Sequence, residues 1–220
     1  MLGTLIYVMG PSGSGKDSLI SYARKQISAS CAQTLNAAPK AAANTAATAV
    51  INAQPGLRPV LFVRRYITRP AKAGDEHHTP LTREEFQQRR EQGDFALFWK
   101  SHGFCYGVSK DIDLRLAEGA VVVVNGSREY LPAALKKYPN LLPLLISVRP
   151  EVLRARLEKR GREQAADIEK RLAQAAMPLP EMPGPIGQTK MICLDNSGDL
   201  EKAGQRFVEL LESLRRVPMP

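Results

Sequence analysis

Gly10-Pro11-Ser12-Gly13-Ser14-Gly15-Lys16-Asp17 follows an apolar run, Leu5 to Met9, and opens a segment with helical periodicity. A loop of the form G-x-x-x-x-G-K between strand and helix lets consecutive backbone N–H groups turn inward on an anion, and the helix N-terminus adds partial positive charge. Lys16 then reaches the outer phosphates. Gly10, Pro11, Ser12, Gly13, Ser14, Gly15, Lys16, Asp17 and Ser18 are therefore read as the segment that binds a nucleoside triphosphate. The residue after the lysine is normally Ser or Thr, whose hydroxyl ligates Mg²⁺, whereas here it is Asp17, with Ser18 next. A carboxylate can serve a hard cation directly or through water, which makes Asp17 the candidate metal ligand. The alternative is that Asp17 only complements the dipole of the helix it begins.

Outward from the loop, apolar runs at Leu5–Met9, Val60–Ile67, Ala120–Val124, Leu144–Val148 and Met191–Leu194 read as buried strands, separated by stretches long enough for crossover helices. That alternation predicts an α/β fold, a P-loop NTPase-type parallel sheet flanked by helices. Leu19, Ile20, Ala23 and Ile27 form one helical stripe, Val152, Leu153, Leu157, Ile168 and Leu172 a second, and Phe207, Leu210, Leu211 and Leu214 a third, all expected to be core. From Gln33 to about Gly56 the chain turns to Ala, Asn, Thr and Pro with few bulky apolar residues, so a mobile or partly helical insertion is expected. Met177 to Gly187 carries four prolines and is expected to be an irregular connection.

With 220 residues the chain suits one domain. Its three cysteines, Cys31, Cys105 and Cys193, lack metal-ligand spacing and are expected to be buried, inert thiols. The first apolar run has no basic segment before it and is too short for a signal peptide or a membrane span, so a reducing cytoplasm is expected. A net charge of +9 would ordinarily suggest nucleic acid. The basic residues instead gather near the phosphate-handling segments (Lys16, Arg64, Arg65, Arg69, Lys72) and along a later helix (Arg154, Arg156, Arg160, Arg162, Arg171), without aromatic residues interleaved for base stacking. Small polyanionic substrates account for that pattern better.

The stretch Tyr66-Ile67-Thr68-Arg69-Pro70-Ala71-Lys72-Ala73-Gly74-Asp75-Glu76, then Glu85-Phe86, Gly93-Asp94-Phe95 and Gly103-Phe104-Cys105-Tyr106-Gly107-Val108, resembles the guanylate kinase family. Those enzymes carry T-R-x-P-R-x-G-E, E-F, G-x-F and G-x-x-Y-G-x at similar separations. The resemblance resumes at Arg156-Leu157-Glu158-Lys159-Arg160-Gly161 and Lys170-Arg171-Leu172, similar to that family's arginine-rich lid. It implies a single domain over 1–220: a core of 1–32, 57–66, 118–155 and 188–220, the insertion 33–56, a small acceptor-binding lobe 67–117 and a lid 156–172. It also implies ATP and Mg²⁺ as nucleotide and cofactor. Lys16, Arg156, Arg160 and Arg171 would be catalytic, and Arg69, Lys72, Tyr106 and Asn125 would contact the acceptor. Forked guanidinium groups suit phosphate oxygens, and lid cations stabilise charge spread over a phosphoryl-transfer transition state.

Departures narrow the acceptor. Guanylate kinases read guanine with an acidic residue after G-x-F and an aspartate after the third strand, where this chain has Leu97 and Asn125. A base-binding site without these hydrogen-bond partners loses its discrimination. Leu81 stands nearest the position of a tyrosine that family usually carries after its G-E, and Lys72 replaces its second phosphate-binding arginine. These changes, with G-P-S-G-S-G-K-D and Y-I-T-R, are similar to a branch of the superfamily, the ribose 1,5-bisphosphate phosphokinases of phosphonate degradation. That implies a sugar bisphosphate and ATP as partners, without nucleic acid or membrane, and is compatible with a homodimer. His77, His78 and His102 are too few and too scattered for a metal site and are expected on the surface or in the substrate lobe. The competing readings are a nucleoside monophosphate kinase of altered base preference, a catalytically silent guanylate kinase-like binding module, and a basic nucleic-acid-binding ATPase.

Overall fold

The computed structural model describes residues 3–34, 48–51, 56–70, 78–161, 164–179 and 191–216. β1 (Thr4–Met9), β8 (Val121–Asn125), β9 (Leu142–Ser147), β10 (Ile192–Asp195) and β3 (Val60–Val63) pair in parallel in the order β10-β9-β1-β8-β3. Both faces of this sheet are covered, and the alternation along two strands shows how. Ile6, Val8, Val121 and Val123 pack with Leu19, Ala23 and Ile27 of α1 (Lys16–Thr34) and with Phe207 and Leu211 of α7 (Leu200–Arg215). Leu5, Tyr7, Met9, Val122 and Val124 point the other way, onto Ile112 and Leu116 of α3 (Asp111–Ala117) and Leu131 and Leu135 of α4 (Leu131–Lys137). Four consecutive valines suit a strand buried on both sides, where β-branched side chains fill both layers. Burying each such side chain contributes about 2 kcal/mol.

Val60–Ile67, expected as one strand, is two. β3 stays in the main sheet, Arg64 is exposed, and β4 (Arg65–Ile67) joins a second sheet of order β5-β4-β7-β6, with β5 (His78–Pro80), β6 (Phe95–Ser101) and β7 (Phe104–Ser109). The two arginines interrupt the apolar run, and Arg64 keeps its charge in water by ending the first strand. The segment 33–56 also differs from expectation. α1 extends to Thr34, and Thr48–Ile51 form β2, an antiparallel strand on the outer edge of β3; residues 35–47 and 52–55 lie outside the described residues.

The second sheet presents one face to α2 (Arg83–Glu91), where Tyr66, Phe86 and Phe95 form a small cluster with Leu81 against it. Thr82 caps α2 reciprocally, its hydroxyl accepting from the Glu85 amide at 3.1 Å while Glu85 accepts from the Thr82 amide at 2.7 Å. α5 (Pro150–Arg160) and α6 (Ala165–Ala176) pack on each other through Leu153, Leu157 and Ile168, so the second apolar stripe forms a core of its own. No helix among the described residues is long and apolar enough to cross a membrane.

Candidate active site

The ends of β1, β8, β9 and β10 converge at the carboxyl edge of the parallel sheet, where open α/β sheets bind ligands. The loop Gly10–Gly15 follows β1 directly. Gly15 has φ +85°, and a Cβ there would lie 2.4 Å from Asn196 Nδ2, so only glycine fits. Asn196, buried just after β10, donates that amide to the Ser14 carbonyl at 2.7 Å and fixes the loop from outside. The Ser14 hydroxyl is itself buried. Lys16 folds back over the loop, its Nζ donating to the carbonyls of Gly10 (2.7 Å) and Pro11 (2.9 Å). Burial pushes its pKa from the usual 10.5 down to about 8, only partly opposed by Asp17.

Asp17 is exposed in the first turn of α1, and its Oδ1 accepts from two sides. Asn125 Nδ2, from the end of β8, donates at 2.6 Å, and Arg65 Nη2, from the start of β4, at 3.3 Å. The amide at the strand end that lacks an aspartate thus holds the carboxylate that the loop carries in excess. Asn125 Oδ1 is buried with no hydrogen-bond partner among the described residues.

A cavity of about 290 Å³ joins this loop to the second sheet. Gly10, Pro11, Ser12, Gly13, Gly15, Lys16, Asp17 and Ser18 form one wall, with Asn125 beside them. Arg69 and Tyr106 form the opposite wall together with Arg65, Ile67, Trp99, Ser101 and His102. Alternation along the strands puts these side chains on one face, while Tyr66 turns to α2 and the Thr68 hydroxyl accepts from the Cys105 amide at 2.8 Å. Trp99 stacks on Tyr106 with ring centres 5.4 Å apart and planes within 3°, and Tyr130 stacks on its neighbour side at 5.6 Å. His102 occupies the β6–β7 turn with φ +48°.

Arg160 of α5 reaches the cavity wall. Arg171 of α6 instead donates Nη1 to the Ser12 hydroxyl at 2.5 Å. Arg156 stays off the wall: its Nη1 is buried, without a hydrogen-bond partner among the described residues, and lies 3.8 Å from where a Cβ on Gly15 would stand. Lys72 lies outside the described residues. Three guanidinium groups therefore approach the phosphate loop from the two helices.

The chain is 45% identical over 210 residues to a curated protein of Desulfomicrobium baculatum named ribose 1,5-bisphosphate phosphokinase, covering 96% of this chain and 95% of that one. A protein of the same name from Chromobacterium violaceum is 44% identical over 215 residues, covering 98% and 97%. The chain belongs to the ribose 1,5-bisphosphate phosphokinase family. Its fold is that of guanylate kinases: the crystal structure of the enzyme from Anaplasma phagocytophilum superposes with a TM-score of 0.58 at 15% identity, covering 97% of this chain and 87% of that one. No protein-family model matches the chain.

Several features of this phosphokinase family member escaped the sequence reading. Leu97, expected where a base would be read, is 1% exposed and packs in the core opposite Val108, so it does not line the cavity; Trp99, two residues on, does. Arg128, just beyond β8, lines the cavity and donates to the carbonyls of Gln174 (2.6 Å) and Ala175 (3.1 Å), tying the C-terminal end of α6 to the core. Burial lowers its pKa, with Glu129 acting against that. The side chain of Gln174 donates in turn to Glu129 at 2.9 Å. In sequence, Arg128 belongs to no motif and its partners lie more than forty residues away. The cysteines were expected to be buried, yet Cys105, packed against the Tyr66, Phe86 and Phe95 cluster, is half-buried, and Cys193, on the edge strand β10, is exposed.

Proposed function

We propose that this chain transfers the γ-phosphoryl group of ATP to the 1-phosphate of ribose 1,5-bisphosphate, forming 5-phospho-α-D-ribose 1-diphosphate and ADP. The observation that carries this reading is the identity of 44–45% with ribose 1,5-bisphosphate phosphokinases across nearly the whole of both chains. An oxygen of the acceptor 1-phosphate attacks the γ-phosphorus, the bond to the β–γ bridging oxygen breaks, and its electron pair leaves with ADP. A phosphate with a second pKa near 6 is already anionic at neutral pH, so no general base is needed. Positioning and charge neutralisation then supply the catalysis.

In this scheme Lys16 and the loop amides hold the β- and γ-phosphates, and Arg156, Arg160 and Arg171 neutralise the group in transfer. The Arg156 nitrogen beside Gly15, without a hydrogen-bond partner among the described residues, fits that role. Arg69, Lys72 and Tyr106 grip the acceptor phosphate, and Asn125 Oδ1, without a partner among the described residues, is an acceptor for a sugar hydroxyl. For Mg²⁺, the Asp17 carboxylate and the Ser18 hydroxyl are hard oxygen donors on the cavity wall. No cluster of three or more His, Cys, Asp or Glu side chains occurs among the described residues, which suits a cation held mainly by phosphates and water. Held there, such a cation would supply charge neutralisation to the nucleotide phosphates. The compartment we assign is the cytoplasm, where free thiols such as Cys105 and Cys193 persist.

The test is ADP release with ATP and Mg²⁺, comparing ribose 1,5-bisphosphate, GMP, AMP and no acceptor at matched concentrations. Turnover is expected with the bisphosphate; turnover with GMP or AMP and none with the bisphosphate would make the chain a nucleotide kinase instead.

A further inference from the structure

Arg65 stands where the chain leaves the nucleotide-binding core for the acceptor lobe, one residue after the break at Arg64. Its side chain is 17% exposed, although it carries five N–H donors in a rigid fork. Among the described residues its one hydrogen bond is Nη2 to Asp17 Oδ1 at 3.3 Å, and its guanidinium carbon lies 5.8 Å from the centre of the Tyr106 ring. That single carboxylate oxygen is shared with the Asn125 amide at 2.6 Å. A largely covered guanidinium that makes one hydrogen bond among the described residues, on a cavity wall shared with Lys16 and Arg69, has donors to offer an anion in the cavity.

Position indicates which anion. Asp17 adjoins Lys16, so Arg65 lies on the donor side of the cavity, while strand alternation puts it on the same face as Arg69, with Ile67 between them. Two anions must approach each other there, the γ-phosphate and the attacking phosphate, and their mutual repulsion has to be offset by a cation between them. We infer that Arg65 is a catalytic residue that binds the reacting 1-phosphate of the acceptor and aligns it with the γ-phosphate. Asp17 holds the fork ready in the free protein. This rests on ribose 1,5-bisphosphate being the acceptor.

Ribose 5-phosphate, which lacks only the reacting phosphate, separates the two ideas. Calorimetric titration of the wild-type chain, R65Q and R65K with ribose 1,5-bisphosphate, ribose 5-phosphate and ATP would measure both. R65Q is expected to bind the bisphosphate about 10- to 100-fold more weakly, the range for a charge-assisted hydrogen-bonded phosphate. Its affinities for ribose 5-phosphate and ATP should stay within about twofold, the latter also reporting an intact fold. R65K, which keeps the charge without the fork, should fall between. If R65Q weakens both sugar phosphates equally, or leaves the preference for the bisphosphate untouched, Arg65 does not hold the reacting phosphate. If the wild-type chain itself fails to prefer the bisphosphate, the acceptor assignment falls, and the role of Arg65 with it.

Discussion

Nucleotide binding should draw a proton onto Lys16. In the free chain burial holds this ammonium near pKa 8 instead of 10.5. A depression of that size corresponds to about 3 kcal/mol of disfavoured charge. Between pH 8 and 10.5 the unfolded chain therefore binds more protons than the folded one, and folding stability rises with pH across that window as the penalty disappears. A triphosphate beside Nζ reverses the balance, since an anion at that distance favours the charged amine. Binding then requires the ammonium, so a free chain that has lost it must take up a proton: about half a proton at pH 8, about nine-tenths at pH 9 and almost none at pH 6.5. ATP phosphates, with a second pKa near 6, contribute little at pH 8 to 9. Calorimetric titration of ATP in buffers of different ionisation enthalpy measures the uptake directly, and K16M should abolish it. A wild-type chain that takes up no proton at pH 9 would show that Lys16 is already charged in the free site, and the reasoning from burial would fail.

Three further outcomes are expected. D17A should raise the Mg²⁺ concentration for half-maximal turnover by about 10- to 100-fold; an unchanged Mg²⁺ dependence would leave Asp17 with its contacts to Asn125 and Arg65 alone. In G126A the added Cβ would lie 2.1 Å from the buried ring of Tyr7, whose hydroxyl is held by the Ser127 backbone at 3.0 Å, so the ring cannot retreat. Overpacking of this kind costs about 1–3 kcal/mol, or roughly 3–10 °C in Tm for a chain of this length, and an unshifted melting curve would contradict the packing described. Trp99 is the only tryptophan and lies in the cavity wall against Tyr106, so its emission should change on adding ribose 1,5-bisphosphate and little on adding ATP alone.

The phosphate loop was legible because its chemistry is local: eight consecutive residues hold the turn, the lysine and the helix start. The parallel strands were legible too, since runs such as Val121–Val124 must be buried on both faces. What could not be read was long-range. Asn196 holds the loop from 182 residues away, and Arg128 reaches α6 across more than forty, with no pattern joining either to its partner. Leu97 was misjudged for the opposite reason. Its motif position suggested a site, whereas a register irregularity between Phe95 and Leu97 accompanies its burial in the core, with Trp99 at the cavity. The break at Arg64 left only two charged residues as a sign, too little to divide one apolar run between two sheets.

β2 has a consequence unrelated to chemistry. β3 reads Val60-Leu61-Phe62-Val63, every residue buried, and β2 occupies its outer hydrogen-bonding edge. Without that cover, four apolar residues with open backbone donors and acceptors would be a template for another chain. The Ala-rich stretch expected as a mobile or partly helical insertion thus supplies the guard of a sticky edge, and shortening it through Thr48–Ile51 should show first as self-association rather than as lost turnover.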